Sequence, residues 1–168
     1  IYELLVEAGK NFYLSNCGMH AMDIMRMERG FLHWGHDISP EENQYQSGLN
    51  FAISYKKNVK FIGRDTLLKI KDKRLNKRFV MLCLKDSNPG EPLLLHDEPV
   101  YLDDKIIGVT TSGNFSFNYN KNLSFGYIKS DLSNEELLKE SLYIEIEKKK
   151  YSAEILLKPL KQTDFKNL

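Results

Sequence analysis

The segment Arg26-Met27-Glu28-Arg29-Gly30 puts a carboxylate at the end of an apolar helical stretch, beside a glycine. The C-terminal end of a helix carries partial negative charge, so a glutamate there is disfavoured by roughly 0.3–1 kcal/mol. A charge kept at such a cost points to a use. The two carboxylate oxygens can accept parallel N–H donors, as from the amidine-like or guanidine-like edge of a ligand. The bland alternative is a salt bridge to Arg26 or Arg29. Downstream, His33-x-x-His36 with Asp37 gathers ordinary metal-ligand types, but the spacing supplies no third ligand in a recognised pattern, so hydrogen bonding or surface exposure is expected and no metal is assigned. Trp34, the single tryptophan, reads first as a packing residue and second as a stacking platform. Between Lys56 and Arg78 stand ten basic residues against Asp65 and Asp72, a local balance of +8. Such a run could hold a polycarboxylate or a phosphate. Nucleic acid is a weaker reading because Phe61 alone interleaves the cluster, and a solvated helix and linker would look the same. No GxGxxG, P-loop, nucleophile elbow or Cys–His pair is present, so no catalytic residue is assigned.

The composition sets the frame for these residues. Hydrophobic residues make up 42% and charged residues 28% of 168, with 10 Gly and 5 Pro, which excludes collagen-like, low-complexity and wholly disordered chains. Twenty-four Lys and Arg against 23 Asp and Glu leave a net charge of +1, so a polyanionic partner can be argued only from local clustering. Cys17 and Cys83 lie far apart without CxxC spacing and read as reduced thiols. The longest apolar run, Phe79 to Leu84, is far short of the roughly 20 residues of a membrane helix, and nothing at the start resembles a signal peptide. No membrane partner is expected, and the cytoplasm is the default compartment. The opening Ile1-Tyr2-Glu3-Leu4-Leu5 already lies inside a helical pattern, which raises the expectation of a piece cut from a longer polypeptide.

The elements that must position these groups follow from periodicity. Ile1, Leu4 and Leu5 predict a helix stopping near Gly9, and Met19, Ala21, Met22, Ile24, Met25 and Met27 predict a second helix ended by Gly30. Its methionine face is expected to fill core. Leu49, Phe51 and Ile53 alternate with Asn50, Ala52 and Ser54 as a half-buried strand would. Thr66 to Ile70 suit a short helix with Asp65 near its positive end. After Lys77 the texture changes to short apolar runs broken every 8–12 residues, the pattern of an antiparallel barrel or sandwich. Six strands are predicted: Phe79–Leu84, Val100–Leu102, Ile106–Thr111, Leu123–Ile128, Leu142–Glu147 and Tyr151–Leu157. Asp103-Asp104 and Glu147 to Lys150 supply turns, and Ser133 with Glu136 forms a capping box before a single helical turn. The expected architecture is α+β over residues 1–75, then a six-stranded antiparallel Greek-key barrel over 76–168.

The string AMDIMRMERGFLHWGHDISPEENQYQSGLNFAISYKKNVKFIGRDTLLK resembles the second half of the folate-binding domain in the glycine cleavage T-protein (aminomethyltransferase) superfamily, whose pattern runs A-x-D-x-x-R-x-E-x-G, G-x-D-I, a Pro, G-L and F-I-G-x-x-x-L. Gly90 and Pro92, the run Gly108-Val109-Thr110-Thr111-Ser112-Gly113, and Gly126-Tyr127-Ile128 look like that family's C-terminal barrel. The resemblance covers essentially the whole chain. Within the superfamily, the run Trp34 to Glu42 looks closer to the C-terminal half of dimethylglycine and sarcosine dehydrogenases, the free T-protein usually having Tyr where Trp34 stands.

The resemblance implies a tetrahydrofolate-dependent one-carbon transfer enzyme. In the dehydrogenases an FAD amine oxidase half makes an imine, and the folate half captures the one-carbon unit as 5,10-methylenetetrahydrofolate. FAD would then belong to a preceding part of the polypeptide, and the partners would be the folate and a small N-methylated amine or an aminomethyl carrier. Glu28 matches the family's pterin-binding glutamate, with Trp34 taken as a further folate contact. Lys56 and Lys57 fall where the family often has an Arg near the folate glutamate tail, so ion pairing replaces a bidentate clamp. The family's catalytic aspartate lies upstream of every residue here, so this chain alone is expected to be inactive and to self-associate through surface that the missing part would cover. A free T-protein is the alternative. A non-catalytic folate-binding module in RNA modification or repair ranks lower, because those relatives usually carry a K-G-C-Y-like motif where this chain has Phe31 to His36.

Overall fold

Apolar residues that alternate along a strand bury one face, whereas an unbroken apolar run needs cover on both. Both patterns occur, and they arrange the molecule into a barrel with a second layer on one side. A computed structural model describes residues 1–57 and 59–156. The six strands are β1 (Lys77–Leu84), β2 (Pro99–Leu102), β3 (Lys105–Ser116), β4 (Lys121–Lys129), β5 (Leu142–Ile146) and β6 (Lys149–Leu156). They close in the order β1-β4-β3-β2-β5-β6, every pairing antiparallel. Strands β2, β3 and β4 run as consecutive hairpins, and β1 returns beside β4, which is the Greek-key connection expected. Leu157 of the predicted last strand, and everything after it, lies outside the described residues.

In β5 the buried Leu142, Ile144 and Ile146 alternate with the half-buried Tyr143 and Glu145. They meet Val80, Leu82 and Leu84 of β1, Ile128 of β4 and Ile155 of β6 in the barrel interior. The outward residues of β1 are also apolar. Phe79, Met81 and Cys83 join Leu123 and Phe125 of β4 in a second cluster outside the barrel wall. The cover over that wall is α2 (Met19–Glu28), preceded by α1 (Tyr2–Gly9) and followed by a long turn-rich segment and α3 (Arg64–Ile70). The Asp103 turn and the Glu147-Lys148 turn both use left-handed backbone, as two-residue hairpin connections require. At Gly113 a Cβ would sit 2.7 Å from Leu94, so only a glycine lets that loop pack against β3.

Two local expectations fail. Leu49–Ile53 is not a strand: Asn50–Ala52 forms a 3-10 turn in which Ala52 N–H donates to Leu49 C=O and Ile53 N–H to Asn50 C=O, and Phe51 is exposed. Those local bonds satisfy the backbone that a partner strand would otherwise have to pair. The methionine face of α2 is not core throughout. Met27 is fully buried against the barrel wall, whereas Met19, Met22 and Met25 are exposed, because the helix meets the barrel on the side carrying Asp23, Ile24, Met27 and Glu28.

Candidate functional site

Met27 sets the depth of the site. Its burial, worth roughly 1.5–3 kcal/mol, seats the last turn of α2 on Met81, Cys83, Leu123 and Phe125, and so brings the next residue against β3. Glu28 is only 5% exposed there. The Ser116 hydroxyl donates a short hydrogen bond to Oε1, and the Asn118 amide nitrogen donates to Oε2 at 2.7 Å. Ser116 is itself buried and accepts from the Tyr119 backbone N–H at 3.1 Å. Arg26, one of the two arginines weighed as alternative salt-bridge partners, does not pair with Glu28.

Arg26 turns instead to the other buried carboxylate. Asp37, with no solvent exposure, accepts from Arg26 Nη1 at 2.5 Å, the His33 backbone N–H at 2.8 Å, Thr111 Oγ1 at 2.6 Å and Ser112 Oγ at 2.8 Å. Arg26 also donates to Asp23, to the Phe31 carbonyl and to Ser112, and lies over the Phe125 ring. A buried charge persists only when paired and hydrogen-bonded, and this one is satisfied from α2, from the turn after it and from β3 together. The His33 and His36 ring centroids lie 4.6 Å apart with the planes tilted by 35°, and no three His, Cys, Asp or Glu side chains among the described residues are grouped to hold a metal.

Beside this contact opens a cavity of about 1120 Å³, lined by Arg29, Gly30, Phe31, Trp34, Phe51, Phe79 and Met81 among others. Of the four expected site residues, Trp34 lines it. Glu28 does not line it, although the next residue, Arg29, does. Lys56 and Lys57 are exposed on the connection before α3 and reach neither the cavity nor Glu28. A carboxylate offers about four acceptor positions, so Ser116 and Asn118 leave one on each oxygen for a ligand with paired N–H groups. A second cavity, about 680 Å³, shares Ser39 and Glu42 with the first in its lining and is bordered by the Lys77–Glu42 ion pair at 2.5 Å. Burial would raise the Glu42 carboxyl, but bonds from the Lys77 ammonium and from Ser39 outweigh it and hold the group below its ordinary value.

The GCVT N-terminal domain model matches residues 1–57, and the model of the glycine cleavage T-protein C-terminal barrel domain matches residues 77–161. The chain belongs to the glycine cleavage T-protein family. Among curated relatives, mitochondrial dimethylglycine dehydrogenase of Rattus norvegicus is 32% identical over 98% of this chain and 18% of its own length. An aminomethyltransferase of Symbiobacterium thermophilum is 36% identical over 76% of the chain and 33% of its own. The solved glycine cleavage system aminomethyltransferase T of Bartonella henselae superposes with a TM-score of 0.78 at 21% identity, covering 94% of this chain and 43% of that one, which establishes the shared fold. This T-protein-family chain therefore spans a third or less of the curated relatives named here.

What the sequence reading missed in this T-protein-family chain is the row of polar residues that receives α2. Thr111, Ser112, Asn114, Ser116 and Asn118 supply donors to Asp37, to the His20 carbonyl and to Glu28. A signal was available. Ser112, Asn114 and Ser116 alternate with Gly113 and Phe115, the period of a strand with one polar face. Apolar periodicity alone ended the strand at Thr111.

Proposed function

We propose that the chain forms the folate-binding and barrel portion of a tetrahydrofolate-dependent one-carbon transfer enzyme, divided near residue 76 into a folate-binding part (1–75) and the barrel (76–168). The observation that carries this reading is Glu28: a buried carboxylate at a helix end, held by two neutral donors, with acceptor capacity left on both oxygens. When bound, the folate supplies two nitrogens that together accept one carbon at the oxidation level of formaldehyde. Glu28 would accept the paired N–H groups of the pterin edge and fix its orientation, Trp34 would offer an aromatic face, and Lys56 and Lys57 would attract a glutamate tail by charge. Of the dehydrogenase and free aminomethyltransferase readings, we favour a protein of the dimethylglycine or sarcosine dehydrogenase type, in which an FAD-dependent half oxidises an N-methyl group that leaves as 5,10-methylenetetrahydrofolate. Support comes from the length of the dimethylglycine dehydrogenase match and from Trp34. The higher identity of the aminomethyltransferase match over a shorter span keeps the free T-protein as the second reading, with an aminomethyl carrier as partner.

Tetrahydrofolate binding to the full polypeptide, measured by calorimetry for wild type and Glu28→Gln, tests the proposal. Loss of a charge-assisted pair should weaken binding by roughly 1.5–3 kcal/mol. Equal affinities would leave Glu28 as scaffold and remove the ground for a folate site.

A further inference from the structure

We infer that the barrel is a working part of the ligand site, with Ser116 and Asn118 acting as positioning residues for Glu28. The inference rests on the folate reading above. A glutamate side chain has three rotatable bonds, and an unrestrained carboxylate would have to lose that freedom on binding. Here one donor is fixed on each oxygen. That arrangement sets both the position of the carboxyl carbon and the plane of the group, and so the direction of the acceptor sites left over. Both donors are neutral. A cation in either place would orient the carboxylate equally well but would cancel the charge that a ligand N–H pair exploits. Arg26, two residues before Glu28, is drawn instead to Asp23 and Asp37. Ser116 is in turn held by the Tyr119 amide, and the β3 backbone carrying it is paired to β4 in register, Ser116 opposite Lys121. The pterin-orienting geometry therefore originates in a strand pairing of the barrel, almost ninety residues downstream of the carboxylate it serves.

The test measures tetrahydrofolate affinity by calorimetry in the full polypeptide carrying Ser116→Ala, Asn118→Ala or Ser116→Thr, with far-UV circular dichroism and a thermal melt as checks of folding. Each alanine variant should weaken binding on the order of tenfold, and Ser116→Thr, which keeps the hydroxyl, should restore it. In a Glu28→Gln background the Asn118→Ala change should have no further effect, since it acts through the carboxylate. A purely structural role would lower the melting temperature while leaving affinity unchanged, or lower affinity equally in both backgrounds, and either result overturns the inference. Asn118 is exposed, so its variant decides the matter if Ser116→Ala does not fold. A wild type that does not bind tetrahydrofolate sinks the folate reading and this inference with it. Binding that is lost in Glu28→Gln but intact in both alanine variants sinks this inference alone.

Discussion

Cys83 lies buried between β1 and the covering layer, where desolvation pushes its thiol up to about 11, while Cys17 is exposed before α2. At pH 8 a thiol-directed alkylating reagent should therefore modify one cysteine, Cys17, and reach Cys83 only after denaturant is added. Mass spectrometry of the labelled peptides checks this, and early labelling of Cys83 would contradict the packing. Glu42 carries the pH dependence at this scale. Its carboxyl is held low in the folded state, so its stabilising contact with Lys77 is complete above about 4.5 and is lost as pH falls through the depressed folded value. Thermal melts across that range should show Glu42→Gln with a shallower acid dependence than wild type, and parallel profiles would exclude the contact as its source. Sequence alone singled out Glu28 through its uncomfortable place at a helix end, but not its partners. Serine and asparagine in a strand look like ordinary surface residues until the element they face is known.

The capping box was legible among the elements because it is local: Ser133 Oγ accepts from the Glu136 amide, and the Glu136 carboxylate returns to the Ser133 amide. Ser133→Ala should cost about 1 kcal/mol in urea unfolding, and no measurable loss would show the single turn of α4 (Asn134–Leu137) to be held by Leu137 alone. The strands of the barrel were legible for the same reason, since alternation and turn residues act over a few positions. Two elements were not. The stretch at Leu49 alternates as a strand does yet has no strand beside it, and β3 continues five residues past its apolar portion because its partner layer is polar. In both cases pairing, a tertiary property, decides the outcome.

Over the whole molecule, the knot around Asp37 joins the helical layer to the barrel. Removing its carboxylate would strand Arg26, whose side chain is 15% exposed, so Asp37→Ala should cost about 3–5 kcal/mol, the lower end applying because Asp23 remains as a partner. Equilibrium unfolding monitored by the fluorescence of Trp34 tests this, and a loss under about 1 kcal/mol would show that Met27 packing alone holds the layers. The order of closure in the barrel bears on how such a molecule is made. Strand β1 pairs with β4 and also with β6, roughly seventy residues further along. During vectorial synthesis β1 is the first barrel strand to emerge and waits, unpaired along one edge, until β6 clears the ribosome. The stretch from Phe79 to Leu84, largely buried once the barrel closes, therefore keeps an open edge for the whole interval before β6 arrives.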